Sequence, residues 1–418
     1  MTRVKAYTSG TFRSLRVLNY RLYFYGQLVS TSGTWMQTLA VGWLVLRITR
    51  SGFDVGLVTA LQFLPMLLVS SYGGVIADRR DKRKTLLVTQ SGMALCAAGL
   101  AAITLGGVVQ LWMIYGLTFL SGVFNAVDNP VRQSFVSEMV APADLPNAVA
   151  LNSAMFNTSR IIGPAVGAIL IELFDVGPCF AFNAISFAAV ILALLMMRPQ
   201  ELYLGRPVQR ARGQIREGFR YVWHTEDLKT TILLMAVVGT LAFNFTVVLP
   251  VMAKFVFHGG AGTYGWLTAL MGAGSLVGFR RDALASAPTR RLLVGSCLVF
   301  GIFMTAAALA PTLMIEKVLI VLVGASSITF MATANSTCQL MSLPAMRGRV
   351  MALYGLVFLG STPIGGPLIG WICQHVGPRF GMGVGGIATI IAALVTGSVL
   401  LHRRYGVRRT GTPEPVPA

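Results

Sequence analysis

Long unbroken apolar runs, separated by short polar loops, recur along the whole chain. Each run is near 20 residues, and roughly 20 apolar residues at 1.5 Å rise per residue cross the hydrocarbon core of a bilayer. Only 12% of the 418 residues are charged, against about 25% in soluble domains. A deficit spread over the full length excludes a soluble globular fold. Membrane β-barrels alternate apolar and polar residues in segments of about 10; continuous runs of this length read as helices. The pattern predicts twelve spans, near 22–46, 53–77, 85–106, 110–130, 147–171, 178–197, 230–252, 263–279, 292–310, 313–335, 350–373 and 378–401. The first run is too long for a signal peptide and is expected to be retained.

The basic residues fix an orientation. Of the 34 Lys and Arg, 28 fall at one set of alternate loops and the termini, and 5 fall at the other set. Cytoplasmic loops collect Lys and Arg, so both termini are expected inside. The net charge of +19 is then a topology signal, and nucleic acid is not expected as a partner.

The longest polar stretch, residues 198–229, divides the spans six and six. Within it Ile215, Phe219 and Val222 recur at helical spacing, with Arg212, Arg216 and Arg220 on another face. That pattern predicts a basic amphipathic helix at the inner membrane surface; a solvated linker with some helix is the plainer alternative. The halves look duplicated. Gly163-Pro164-Ala165-Val166-Gly167 matches Gly366-Pro367-Leu368-Ile369-Gly370, Asn129-x-x-x-Gln133 matches Asn335-x-x-x-Gln339, and Gly74…Asp78 matches Gly278…Asp282, all at nearly one offset. A duplicated six-helix unit is the design of transporters whose substrate site lies between two halves. The expected domains are a six-helix bundle at 1–197, the linker 198–229, a second bundle at 230–402 and a cytoplasmic tail at 403–418.

The loop between spans 2 and 3 reads Gly74-Val75-Ile76-Ala77-Asp78-Arg79-Arg80-Asp81-Lys82-Arg83-Lys84. It resembles the loop-2/3 signature of the major facilitator superfamily, G-x-L-a-D-r-x-G-r-k. Ile76 stands for the usual Leu and Asp81 for the second Gly. Gly33-Thr34-Trp35-Met36-Gln37, Asn129-Pro130-Val131-Arg132-Gln133, Arg160-Ile161-Ile162-Gly163-Pro164 and Arg347-Gly348-Arg349-Val350-Met351 resemble the group around the enterobactin exporter, the transmembrane secretion effectors. Gly163-Pro164-x-x-Gly167 is also similar to the superfamily's antiporter signature, with small Ser159 and Ala168 at its outer Gly positions. The second-half copy of the charged loop, Gly278-Phe279-Arg280-Arg281-Asp282, departs from the A-D-R order. Thr118 stands where drug/proton antiporters often carry an Arg, and span 1 lacks the acid many of them use.

The resemblance implies an all-α membrane protein of two pseudo-symmetric six-helix bundles. It implies alternating-access export of small amphipathic molecules, drugs or siderophores, with protons as the coupling ion. It further implies that Gly74, Asp78, Arg79 and Arg83 form a conformational lock on the inner side. Physics agrees for Asp78, since a carboxylate beside a helix N-terminus gains from its free N–H groups; a topology signal alone is the other reading. Spans 1, 4, 7 and 10 line the cavity in the superfamily. By that resemblance Gln27, Gln37, Asn125, Asn244 and Asn335 are expected to face substrate, although each could instead join two helices.

Arg160 lies deep in span 5, where a charge costs about 2.5–3.5 kcal/mol on insertion scales. It must face a wet cavity, a partner charge or carbonyl groups. Asp128, near the inner end of span 4, is the nearest acid in sequence. Gating or proton coupling, with Gly163, Pro164 and Gly167 as the bending element, and a structural tie between helices 4 and 5 both fit the pair. Small residues every fourth position let helices approach closely, and Pro removes a backbone hydrogen bond.

The five cysteines and four histidines are dispersed, without metal-ligand spacing or a disulfide pattern. No phosphate-binding G-x-x-x-x-G-K-[ST] loop occurs, so direct ATP use is not expected. No clustered nucleophile or acid/base pair points to an enzyme. The expectation is a monomeric, multi-pass transporter of the inner or plasma membrane, without cofactor or metal. An importer on the same fold is the alternative, with a non-transporting sensor or scaffold behind it.

Overall fold

A computed structural model of the protein describes residues 12–203, 214–282, 289–344 and 346–410; the side chains at 70–79, 214–216, 279–282, 359 and 399–410 lie outside that description. The described residues are helical, with no strand among them. In the first half, α1 is Leu18–Thr49, α2 Gly52–Arg79, α3 Lys82–Leu105, α4 Leu111–Met139, α5 Leu145–Phe174 and α6 Gly177–Met196. The linker holds α7, Gln214–His224. The second half holds α8 Glu226–Leu241, α9 Phe245–Phe255, α10 Ala261–Asp282, α11 Arg290–Ala308, α12 Leu313–Leu340, α13 Arg347–Gly360, α14 Thr362–His375 and α15 Pro378–Thr410.

Ten helical stretches among the described residues are long and apolar enough to cross a membrane. The long helices α1 and α10, rich in Ser, Thr and Gly, complete the twelve expected spans. Several limits need correction. The fourth span does not end at Pro130: α4 continues to Met139, because neighbouring helices compensate the lost N–H of a membrane-helix proline. The repeat landmark Asn129…Gln133 is therefore helical. Spans 7 and 11 are not single helices. Span 7 breaks into α8 and α9 around Ala242–Asn244, and span 11 breaks into α13 and α14 at Ser361. At the second break Pro363, at the start of α14, has no N–H to offer the preceding turn. α15 runs on to Thr410, into the stretch expected as a tail.

The chain forms two compact units. The first contains residues 1–212, 244–273 and 359–381, so it joins the first six spans to α9, most of α10 and α14. Within it α1 packs on α5 and α6, α3 on α4 and α6, and α2 on both α4 and α14. The α2–α14 crossing is backbone against backbone. A Cβ built at Gly366 would lie 2.9 Å from the Gly56 carbonyl oxygen, and one at Gly52 would lie 3.0 Å from that of Gly370. Both helices thus carry a G-x-x-x-G face, the spacing that lets membrane helices touch. Polar caps lie beside the crossing. Gly52 N–H at the start of α2 donates to Gln374 Oε1 (2.8 Å), and Lys254 Nζ donates to Leu46 O at the end of α1 (3.0 Å).

The second unit contains residues 213–243, 274–358 and 382–418, with α11 packed on α12. In it α7 is docked through one face. Glu217 pairs with Arg349, Gly218 lies against Arg349, and Leu343 N–H donates to Tyr221 Oη (3.2 Å). Phe219 and Trp223 are exposed and stack on each other, with ring centroids 5.5 Å apart. The helix expected in the linker is present, and Arg349 of the Arg-Gly-Arg stretch holds it. Arg212 lies outside the described residues, as does the side chain of Arg216.

Candidate functional site

Asp128 sits on α4, 2% exposed, three residues past Asn125. Its Oδ1 accepts from Thr89 Oγ1 (2.8 Å) and Gln90 Nε2 (2.9 Å), both on α3. Its Oδ2 lies 3.4 Å from Arg132 Nε, one turn further along α4. Tyr23, fully buried on α1, packs edge-on against Phe135 of α4 at 6.3 Å. Burying a lone carboxylate costs far more than burying a paired one; here two neutral donors and one guanidinium surround it. A buried acid that has both a cation and neutral donors can exist charged or protonated, with Arg132 compensating the first form.

The expected Asp128–Arg160 contact is not formed: the partners of Asp128 are Thr89, Gln90 and Arg132. Arg132 was legible, since it lies four residues on and so on the same helix face. Thr89 and Gln90 carry no signal in one sequence, because only the packing of α3 on α4 brings them there.

Arg160, half-buried on α5, holds its guanidinium carbon 5.2 Å from the ring centre of Trp35 on α1. Trp35 in turn meets Phe156 of α5 edge-on at 6.0 Å. A cation–π contact contributes about 0.5–2 kcal/mol, less than the insertion cost of the charge. One turn on, Gly163 presses against α1: a Cβ there would clash with Ser32 O and lie 2.7 Å from Trp35 Cβ. Gly167 and Pro164 continue the contact surface, Gly167 toward Met36 and Pro164 toward Gly265 of α10.

The charged loop divides. α2 carries Gly74, Asp78 and Arg79 in its last turns, but the side chains of residues 70–79 lie outside those described, and with them any lock contact of Asp78. Asp81, the departure from the superfamily pattern, is the N-cap of α3 and accepts from Lys84 N–H (3.0 Å), the use for which Asp suits a helix start. Arg83 donates to Leu194 O (2.6 Å) and Leu195 O (3.1 Å). It thereby satisfies free carbonyls at the end of α6, where a cation also suits the helix dipole. Beside it Lys82 pairs with the largely buried Glu138 of α4. These contacts lie inside the first bundle and tie the ends of α3, α4 and α6 together.

The expected cavity residues fare unequally. Gln37 accepts from Asn183 of α6 (2.7 Å) and so joins two helices. Gln27 is buried, with Thr31 one turn away at 3.5 Å. Asn244, 1% exposed, sits at the break of span 7, where its carbonyl accepts from Val247 and Val248 N–H at the start of α9. Asn125 is half-buried on α4. Asn335, in the second unit, accepts from Gln339 (2.6 Å), as Asn129 accepts from Gln133 (2.8 Å) in the first. The duplicated landmark keeps the same hydrogen bond in both copies. No cluster of His, Cys, Asp and Glu fit for a metal occurs among the described residues.

Known proteins resemble the chain in sequence and in fold. The staphyloferrin A transporter of Staphylococcus aureus (strain NCTC 8325 / PS 47) is 24% identical over 389 residues, 90% of this chain and 94% of the relative. The multidrug efflux pump Tap of Mycolicibacterium fortuitum is 25% identical, over 85% of this chain and 89% of its own. Macrolide efflux protein A of Streptococcus pyogenes is 21% identical, over 90% and 96%. Among solved structures, a D-xylose-proton symporter superposes with a TM-score of 0.71 at 13% identity, covering 90% of this chain and 96% of the symporter. A bacterial homologue of the iron transporter ferroportin in the inward-facing state superposes with a TM-score of 0.70 at 15% identity, covering 92% and 98%. The family model of the transmembrane secretion effectors matches residues 9–406, and the chain is a multi-pass transporter belonging to that family of the major facilitator superfamily.

Proposed function

We propose that the protein exports small amphipathic molecules across the cell membrane by alternating access, in exchange for protons. Relatives that carry siderophores or expel drugs support the direction and the substrate class. Both termini and the basic loops then face the cytoplasm, and the chain works as a monomer. Asp128 supports the coupling and is the observation that carries it. It is a carboxylate buried in a span, held by Thr89, Gln90 and Arg132, and protonation would release Arg132. Gly163, Pro164 and Gly167 form the bending surface on α5. Gly74, Asp78, Arg79 and Arg83 act at the inner end of the same bundle, where Asp78 holds one conformation closed.

The test uses inverted vesicles with an imposed proton gradient and siderophores or hydrophobic drugs as substrates. Accumulation is expected with the gradient acid inside, collapse is expected on adding a protonophore, and Asp128→Asn is expected to remove the dependence on the gradient at equal folded yield. Gradient-driven accumulation by Asp128→Asn would take coupling away from this residue. Uptake only with the opposite gradient would make the protein an importer.

A further inference from the structure

We propose that Arg160, Trp35 and Phe156 form a recognition site for the carboxylate end of an amphipathic organic acid. This rests on the transport reading above and names the chemistry its substrate site would select.

Five acids described in the first unit have partners other than Arg160. Asp54 accepts from Tyr115 Oη (3.1 Å), and Asp128 is held by Thr89, Gln90 and Arg132. Glu138 pairs with Lys82, Asp144 with Arg13 and Asp175 with Arg47. Glu172 shares α5 with Arg160 but lies twelve residues on, about 18 Å along the axis. Arg160 therefore has no ion pair among the described residues. Its described contact is the ring of Trp35, which holds the head without neutralising it.

Two observations say what would neutralise it. First, the guanidinium is a fixed fork of donors that matches a carboxylate in two parallel hydrogen bonds. Set in a span without a counter-ion among the described residues, it repels cations and gathers anions. Second, the head is bordered by an aromatic surface. Phe156 lies one turn before Arg160, hence on the same face of α5, and remains 38% exposed while its ring abuts Trp35. A cation beside the half-buried Trp35 ring and the exposed Phe156 ring matches a ligand with an acid group next to a flat apolar body. On the α10 side, a Cβ at Gly272 would lie 2.8 Å from Ile161 Cγ1 and 3.4 Å from Arg160 O, so the α5 backbone at Arg160 lies close against α10.

Three probes with one ring system and three charges test this on the purified full-length protein: 2-naphthoate, 2-naphthalenemethanol and 2-naphthylmethylammonium. Titration by calorimetry is expected to rank naphthoate at least about tenfold tighter than either of the others. Arg160→Gln should erase that preference and leave the alcohol's affinity unchanged. Arg160→Lys should restore part of it, and Trp35→Leu should weaken naphthoate and the alcohol together. Equal binding of the three probes by the wild type, absence of naphthoate binding, or an intact preference in folded Arg160→Gln would overturn the proposal. If Arg160→Gln does not fold, Phe156→Ser decides: unchanged naphthoate affinity there overturns it. Vesicle export of the ammonium probe without any acid preference would leave the transport reading standing and remove this one; failure of vesicle export with the acid preference intact would do the reverse.

Discussion

The fourth and fifth spans and their copies, the tenth and eleventh, have kept the same scaffold and parted in chemistry. Both copies keep the Asn–Gln hydrogen bond across one helical turn and the Gly-Pro-x-x-Gly face. At the repeat's own offsets, Asp128 and Arg132 correspond to Ala334 and Cys338, and Arg160 corresponds to Pro363. Ala334 and Cys338 are fully buried and carry no charge, where the first copy places a charged pair. α5 is one helix of 30 residues, while its copy breaks at Ser361 just ahead of Pro363. Where the first copy spends its special residues on charge, the second spends them on helix geometry. Duplication supplied two frames, and the Asp128–Arg132 pair and Arg160, costly wherever they stand inside a membrane, occur in one of them.

The largest expected contrast lies at the charged pair. Arg132→Ala leaves Asp128 buried without its cation, and breaking a buried pair from one side costs about 3–5 kcal/mol. The corresponding change in the second copy, Cys338→Ala, removes one sulfur from apolar packing and should cost about 1 kcal/mol, the centre of the usual range for point mutants. Monodisperse yield and thermal midpoint in detergent read both. Equal losses would mean that the two copies bury their centres in the same way.

The second contrast is between the two Gly-Pro-x-x-Gly faces. Gly163→Ala must displace the backbone of α1 at Ser32 and the base of Trp35. Gly366→Ala meets the Gly56 carbonyl at 2.9 Å, a milder intrusion. Overpacking costs about 1–3 kcal/mol, so Gly163→Ala should fall at the upper end and Gly366→Ala at the lower. A larger drop in midpoint for Gly366→Ala would reverse the order in which the faces bear load.

Pro363 tests the break itself. Pro363→Ala restores an N–H that can bond the preceding turn, so amide exchange over residues 361–366 is expected to slow, about tenfold for a locally closed turn. The matching segment of α5, already continuous, sets the slow reference. Unchanged exchange in Pro363→Ala would move the cause of the break away from proline.

Most of this scaffold was written locally. Apolar runs gave the spans, and a fixed offset gave the Asn–Gln and Gly-Pro-x-x-Gly landmarks of the repeat. What escaped was set by packing at long range. Pro130 read as an end of span 4, yet α4 passes through it, because whether a proline stops a helix depends on what surrounds the freed carbonyl. The pairing of Asp128 with Arg132 was open to view at four-residue spacing. The pairing guessed, with Arg160, is not formed: Arg160 lies over the ring of Trp35 on α1 instead. Gln37 reads as a cavity residue or a tie between helices, and the tie to Asn183 needed the placement of α6. Arg349 stood out as part of a motif, but its hold on the linker helix through Glu217 needed both partners in space.

The smallest contrast is also the sharpest check on symmetry. Gln133 and Gln339 are both exposed and each donates to an Asn one turn earlier, at 2.8 Å and 2.6 Å. Polar pairs at this spacing stabilise a helix by about 0.2–0.5 kcal/mol. Gln133→Ala and Gln339→Ala should therefore lower stability by a few tenths of a kcal/mol each, by equal amounts, and additively in the double variant, since the sites lie in separate compact units and share no partner. Thermal midpoints of the two single variants and the double variant, measured side by side in detergent, read this. Equal, additive shifts mean that the hydrogen bond survives in both copies only as local helix support. A transport defect in one variant and not the other, at matching midpoints, would mean that this landmark too has parted in function, and the contrast between the copies would then extend to residues that look identical.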